Sequence, residues 1–161
     1  MKTKSKLINQ ICSKAENPSL CLKVLNSDPR SARADLKGLG RISIFMAQKH
    51  AKQTSDLITS LRKGPSSYLT GQYDVCAEVY GSAIGDLNGA RQILFKKVLS
   101  PSDISTFHSR ASAAFTRPVT CEDALLGPDE PSHEPPKLKQ ANDMFKGLCS
   151  IVVEIGASLK S

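Results

Sequence analysis

The sequence contains no tryptophan, and its aromatic share is only 5%. So few aromatic side chains weigh against a β-sandwich core and against a platform for stacking exposed bases; they favour a helical protein packed on Leu, Ile, Val and Ala. Also missing is any apolar run approaching the roughly 20 residues of a membrane span. The opening MKTKSKLINQ is basic but has no apolar signal core. It fits either a cytosolic protein or a chain from which a signal peptide has been removed.

Catalytic patterns are absent as well. There is no Gly-x-Ser-x-Gly elbow and no His-Glu-x-x-His, and none of the three histidines is spaced from a cysteine as metal ligands are. His50 falls in a helical pattern, whereas His108 and His133 read as loop residues; a lone imidazole without a partner is not a catalytic constellation. Gly38-Leu39-Gly40 has no strand before it and no further glycine pair, so it reads as a place of close helix packing and not as a nucleotide loop. Glu122 and Asp123 are neighbours, and on a helix they diverge. No catalytic chemistry, metal site or cofactor site is visible in these patterns, which leaves a binding protein and a storage or structural bundle as the readings.

What the sequence does contain is charge, cysteine and helical rhythm. The net charge of +7 is uneven: residues 1–64 hold 13 Lys/Arg against 4 Asp/Glu, and residues 65–161 hold 9 against 11. A basic half suits nucleic acid, acidic polysaccharide or a merely solvated surface. The lysines are dispersed and lack interleaved aromatics, which disfavours nucleic acid.

From Leu36 onward, apolar and small residues recur at steps of three and four in four segments. The first runs Leu36, Leu39, Ser43, Met46, His50, Thr54, Leu57, Leu61 and stops at Gly64-Pro65, with Asp28-Pro29 as its expected start. The second runs Leu69, Tyr73, Cys76, Tyr80, Ala83, Leu87, Ala90, Leu94. The third, with Ser102 as expected cap, runs Ile104, Phe107, Ala111, Ala114, Pro118, Cys121, Leu125; Pro118 predicts a local bend. The fourth follows GPDEPSHEPP and runs Leu138, Ala141, Phe145, Leu148, Val152, Ile155, Leu159. Four such segments with short connections predict an all-α protein, an antiparallel up-down four-helix bundle.

The 161 residues form an ordinary domain length, divided here into a hairpin over 1–30 and a bundle over 31–161. Cys12 and Cys21 flank CSKAENPSLC; eight intervening residues are too many for a zinc pair or a redox dithiol and suit a staple across a short α-helical hairpin. Cys76 and Cys121 lie on the seams of the second and third bundle segments, which makes them the second expected bridge. Cys149 falls one residue off the fourth seam and is left as the free thiol. Two bridges imply an oxidising compartment and hence a processed, secreted chain.

NPSLCLKVLNSDPRS, DLKGLG, the single Cys76, TCEDALLG and LCSIVVEI together resemble the plant invertase and pectin methylesterase inhibitor family, over about Leu7 to Leu159. The resemblance implies a hairpin appended to a four-helix bundle, the same two bridges, and secretion to the plant cell wall. It implies a partner too, pectin methylesterase in a 1:1 complex, its pectin-binding cleft occluded by the second and third bundle helices; acid invertase is the alternative target. Invertase inhibitors carry a Pro-Lys-Phe element before the third helix's cysteine; here that stretch reads SPSDISTFHSRASAA, which favours the esterase. Carried over by position, the contact residues are Glu78, Ser82, Thr120 and Asp123. Acidic pectin is a further expected partner through the basic half, with no nucleic acid and no membrane.

Overall fold

Asn17, Asp35 and Ser100 each start a helix by the same means, a side-chain oxygen that accepts from an otherwise unpaired backbone N–H in the first turn. Asn17 accepts from Leu20 N at 3.1 Å and Asp35 from Gly38 N at 2.8 Å. Ser100 accepts from Asp103 N at 3.0 Å while the Asp103 carboxylate accepts from Ser100 N at 2.9 Å, closing a reciprocal capping box. Pro18, Pro101 and Pro136 stand in the first turns of their helices, where a missing N–H does no harm.

The computed structural model describes residues 2–65, 67–126 and 133–161. Among them the chain forms six α-helices and no strand: α1 (Lys2–Ser13), α2 (Pro18–Ser27), α3 (Leu36–Arg62), α4 (Thr70–Ile93), α5 (Pro101–Ala124) and α6 (Pro136–Ala157), with short 3₁₀ turns at Pro29–Arg33 and Ser67–Leu69. Helices α3 to α6 pack in a closed ring of neighbours, α3 on α4, α4 on α5, α5 on α6 and α6 on α3. This is the all-α bundle that the rhythm predicts. Its core is fully buried around Tyr73, Tyr80, Phe107 and Phe145, and each such side chain removed from water contributes about 1.5–3 kcal/mol.

Three local expectations need correction. Asp28 caps the 3₁₀ turn, not α3, because Pro29–Arg33 cannot run directly into a helix that Asp35 starts at Leu36. Ser100, two residues before Ser102, caps α5, since only there can Asp103 answer reciprocally. His108 lies on α5 and is half-buried, not in a loop. In addition, α3 buries Ile44, Ala47, Ala51 and Ile58 together with the expected Leu39, Ser43 and Thr54, whereas Met46, His50 and Leu57 are only half-buried. Small residues let neighbouring helices approach closely, so Ala47 and Ala51 take the inner positions. Pro118 is buried on α5, which continues through it without a break.

Cys12 and Cys21 are bonded across the α1–α2 hairpin, with their Cα atoms 5.3 Å apart. Ile8, Ile11, Cys12, Ala15, Cys21 and Leu25 bury against Leu39, Ile151 and Ile155, so the hairpin rests on the start of α3 and the end of α6. The second disulfide, Cys76–Cys121, ties α4 to α5 with Cα atoms 4.4 Å apart. Cys149 is free and buried.

Candidate partner-binding face

The Cys76–Cys121 bridge fixes the relative height and rotation of α4 and α5. Further along, Asp86 meets Arg110 and Arg117 across the seam, and Lys96 meets Asp103, so rising numbers on α4 meet falling numbers on α5 and the pair is antiparallel. With about 100° of turn per residue, Glu78 stands about 200° round from the inward Cys76 and is exposed on the outer side of α4. Asp123 bears the same relation to Cys121 and is likewise exposed, as is Thr120. Ser82, one turn beyond Glu78, is half-buried.

The four sequence-derived residues therefore lie on the solvent sides of α4 and of α5 separately and do not form a cluster: Glu78 and Asp123 are each turned about 200° from a cysteine that points at the other helix. Glu78 and Asp123 step away from the disulfide in opposite directions, because the helices are antiparallel. Among the described residues none of the four side chains makes a hydrogen bond or ion pair to another. Glu122, by contrast, turns inward to α6 and accepts from Lys146 Nζ at 2.8 Å, so the adjacent Glu122 and Asp123 serve different faces. What lies on the solvent side is a line of largely exposed side chains on each of the two helices.

Sequence reasoning missed the residues that complete these lines. Val75 precedes Glu78 by three and Ser82 by seven, which places all three on one line of α4, and it is 36% exposed despite its apolar side chain. On α5, Thr116, Thr120 and Asp123 follow steps of four and three, and all are exposed. Asp86, one turn past Ser82, is 7% exposed and holds Arg117 Nε at 2.9 Å and Arg110 Nη1 at 3.9 Å. A carboxylate this buried is held by its two guanidinium partners and rigidifies the seam between the two helices. Asp86 lies off the apolar series, which steps from Ala83 to Leu87, so its burial left no signal in the sequence.

Elsewhere polar side chains are absorbed by packing. His50 Nε2 lies 3.0 Å from the Ala141 carbonyl, and its ring stacks on Phe145. Tyr80 donates to Asn142 Oδ1 at 2.6 Å and Asn142 Nδ2 donates to Glu134 at 2.6 Å, a buried chain of hydrogen bonds joining α4, α6 and the segment before α6. Among the described residues no three His, Cys, Asp or Glu side chains are grouped as metal ligands, and no helix is long and apolar enough to cross a membrane.

Residues 6–155 match the model of the plant invertase/pectin methylesterase inhibitor family. The chain is 45% identical to a pectinesterase inhibitor of Actinidia deliciosa over 96% of its own length and 80% of that protein's. It is 33% identical to pectinesterase inhibitor 2 of Arabidopsis thaliana, over 92% and 81% respectively. Its fold superposes on a mutant form of a pectin methylesterase inhibitor from Arabidopsis with a TM-score of 0.75 at 29% identity, covering 95% of this chain and 97% of that one.

Proposed function

The chain belongs to the plant invertase/pectin methylesterase inhibitor family, and from that premise we propose that it inhibits pectin methylesterase by covering the cleft in which the esterase binds pectin. The observation that carries the reading is the 45% identity to a pectinesterase inhibitor across nearly the whole chain. The exposed lines on α4 and on α5 supply a means. A cleft that accepts a polyanion presents cationic and hydrogen-bonding groups, so Glu78 and Asp123 stand in for uronate carboxylates while Ser82 and Thr120 hydrogen-bond beside them. Val75 adds an apolar contact, and the bundle behind it blocks the substrate. No bond is made or broken, so inhibition is reversible and competitive, with one inhibitor per esterase.

Two disulfides fit an oxidising compartment, and the proposed place of action is the plant cell wall, with acidic pectin nearby as a second, weaker partner. Titration against a plant pectin methylesterase and an acid invertase in parallel tests the assignment; inhibition of the invertase alone overturns it. Glu78→Lys is expected to weaken esterase binding by about 1–3 kcal/mol, the usual effect of reversing a desolvated interfacial charge. Its thermal stability is expected to move by less than about 0.5 kcal/mol, since Glu78 is exposed and makes no ion pair among the described residues. Undiminished inhibition by this variant would remove Glu78 from the contact.

A further inference from the structure

At the end of the bundle away from Cys76–Cys121, the 3₁₀ turn, the start of α3 and the end of α4 enclose a groove of about 660 Å³. Arg30, Arg33, Arg41 and Arg91 line it together with Phe45 and Phe95. The arginines come from three separate elements, so their convergence is a product of the fold. We propose that this groove binds de-esterified galacturonan, taking uronate carboxylates on its guanidiniums and sugar rings on its two phenylalanines; the choice of anion rests on the pectin methylesterase reading above.

The charges in the groove are under-compensated. Arg30 is answered by Asp28, which accepts from it at 2.7 Å. Among the described residues, Arg33, Arg41 and Arg91 have no carboxylate partner. Asp35 is the acid in the lining, and its carboxylate is engaged in capping α3 through Gly38 N. The guanidiniums of Arg41 and Arg91 lie 5.1 and 5.0 Å from the centre of the same Phe95 ring. Two like charges held on one ring repel within the screening length of about 10 Å, and the ring quadrupole offsets only part of that repulsion. A bound anion that meets either guanidinium relieves that repulsion.

Placement and shape add to charge. Arg41 is fixed by donating to the Leu94 carbonyl at 2.9 Å, and Lys37 Nζ donates to the carbonyls of Lys96 and Lys97, so the α3 start is stapled to the α4–α5 connection and the groove is preformed. Phe45 and Phe95 remain 52% and 57% exposed although each carries a guanidinium. Large exposed rings beside planar, bidentate cations fit a ligand that alternates carboxylates with the apolar faces of sugar rings. The groove is also clear of the proposed esterase contact: Arg91 lies thirteen residues beyond Glu78 on α4, about 20 Å along the helix axis. One molecule can then hold wall polymer and enzyme together.

Calorimetric titration with hexagalacturonate, its fully methyl-esterified counterpart and a single-stranded DNA of matched charge tests the groove, with esterase inhibition measured alongside. The expected result is binding of hexagalacturonate alone, weakened at least about tenfold in Arg33→Glu/Arg91→Glu and also weakened in Phe95→Ala. Lys49→Glu/Lys52→Glu, the same charge change at exposed positions on α3, is expected to retain it. Helical melts of all variants separate loss of ligand from loss of fold. Equal losses in both double variants would mean a diffuse field and overturn the groove; so would equal binding of the methyl ester or of DNA, or no binding by the parent protein. Hexagalacturonate binding without esterase inhibition would support the groove while overturning the inhibitor reading, and the reverse result would overturn the groove alone.

Discussion

Cys149 sits on the fourth bundle helix, buried among core side chains. Burial raises its thiol pKa far above the ordinary value, with the nearby charge of Asp86 adding to the effect. Because the thiolate is the reactive form, the native protein is expected to resist thiol reagents and to reveal one thiol in denaturant without reductant. Rapid labelling of the folded protein would contradict this burial. Glu134 is a second group governed by its surroundings: burial raises its carboxyl pKa, against a lowering contribution from the hydrogen bond given by Asn142. The folded chain therefore holds that proton more tightly than the unfolded one. Its contribution to stability is complete below the ordinary value of 4.5 and is lost as pH rises through the raised pKa. Replacing Glu134→Gln is expected to flatten the melting temperature across that interval; an unchanged pH profile would show that Glu134 does not couple to folding. None of this was legible in the sequence, where Glu134 was one acid in a proline-rich stretch and its contact with Asn142 depends on the chain turning into α6.

The helices themselves were legible, because a step of three and four is a direct image of one face of an α-helix and needs no knowledge of the partner. Their ends and rotations were less so. Ser100 and Ser102 are equivalent by type, and only the reciprocal bonds with Asp103 distinguish them. Ser100→Ala is expected to cost about 1 kcal/mol of stability, while Ser102→Ala changes little; equal effects in chemical denaturation would reject the assigned cap. On α3 the expected Leu39, Ser43 and Thr54 are buried, but Ala47 and Ala51 take inner positions beside larger residues, because size marks a residue in the sequence while packing rewards fit. Close approach also governs Gly156 on α6. A Cβ there would stand 2.8 Å from two ring atoms of Phe107, itself fully buried on α5. That ring cannot swing away into solvent, so Gly156→Ala is expected to destabilise by about 1–3 kcal/mol. A neutral result would mean that α5 and α6 slide apart at little cost.

At the scale of the whole molecule, the two ends of the bundle differ in what holds them and in what they offer. One end is tied by Cys76–Cys121 and carries the Glu78 stripe, legible only as an offset from two cysteines plus a family resemblance. The other carries the arginine groove, which was not legible at all, because Arg33, Arg41 and Arg91 are dispersed in sequence and meet only after α3 and α4 are paired. The hairpin lies along α6 from this second end, with Leu20 against Gly147, and its cluster with Leu39, Ile151 and Ile155 is continuous with the start of α3 and the end of α6. Those three bundle side chains are no more than 1% exposed with the hairpin in place. Deleting residues 1–28 would uncover them together, forming an apolar patch of the kind that drives self-association, and would forfeit burial worth about 25 cal/mol per Å². A truncated chain is therefore expected to melt lower and to sediment as oligomers, whereas the parent unfolds in one transition with hairpin and bundle reporting together. A truncated chain that stays monomeric with an unchanged melting point would show that the hairpin is an appendage. If it folds but oligomerises, loss of esterase inhibition would follow only where the oligomer covers α4 and α5, so Leu25→Ala supplies the cleaner reading. Leu25 is fully buried in the hairpin cluster, and its truncation is expected to cost about 2–5 kcal/mol while leaving the remote Glu78 stripe and its inhibition intact.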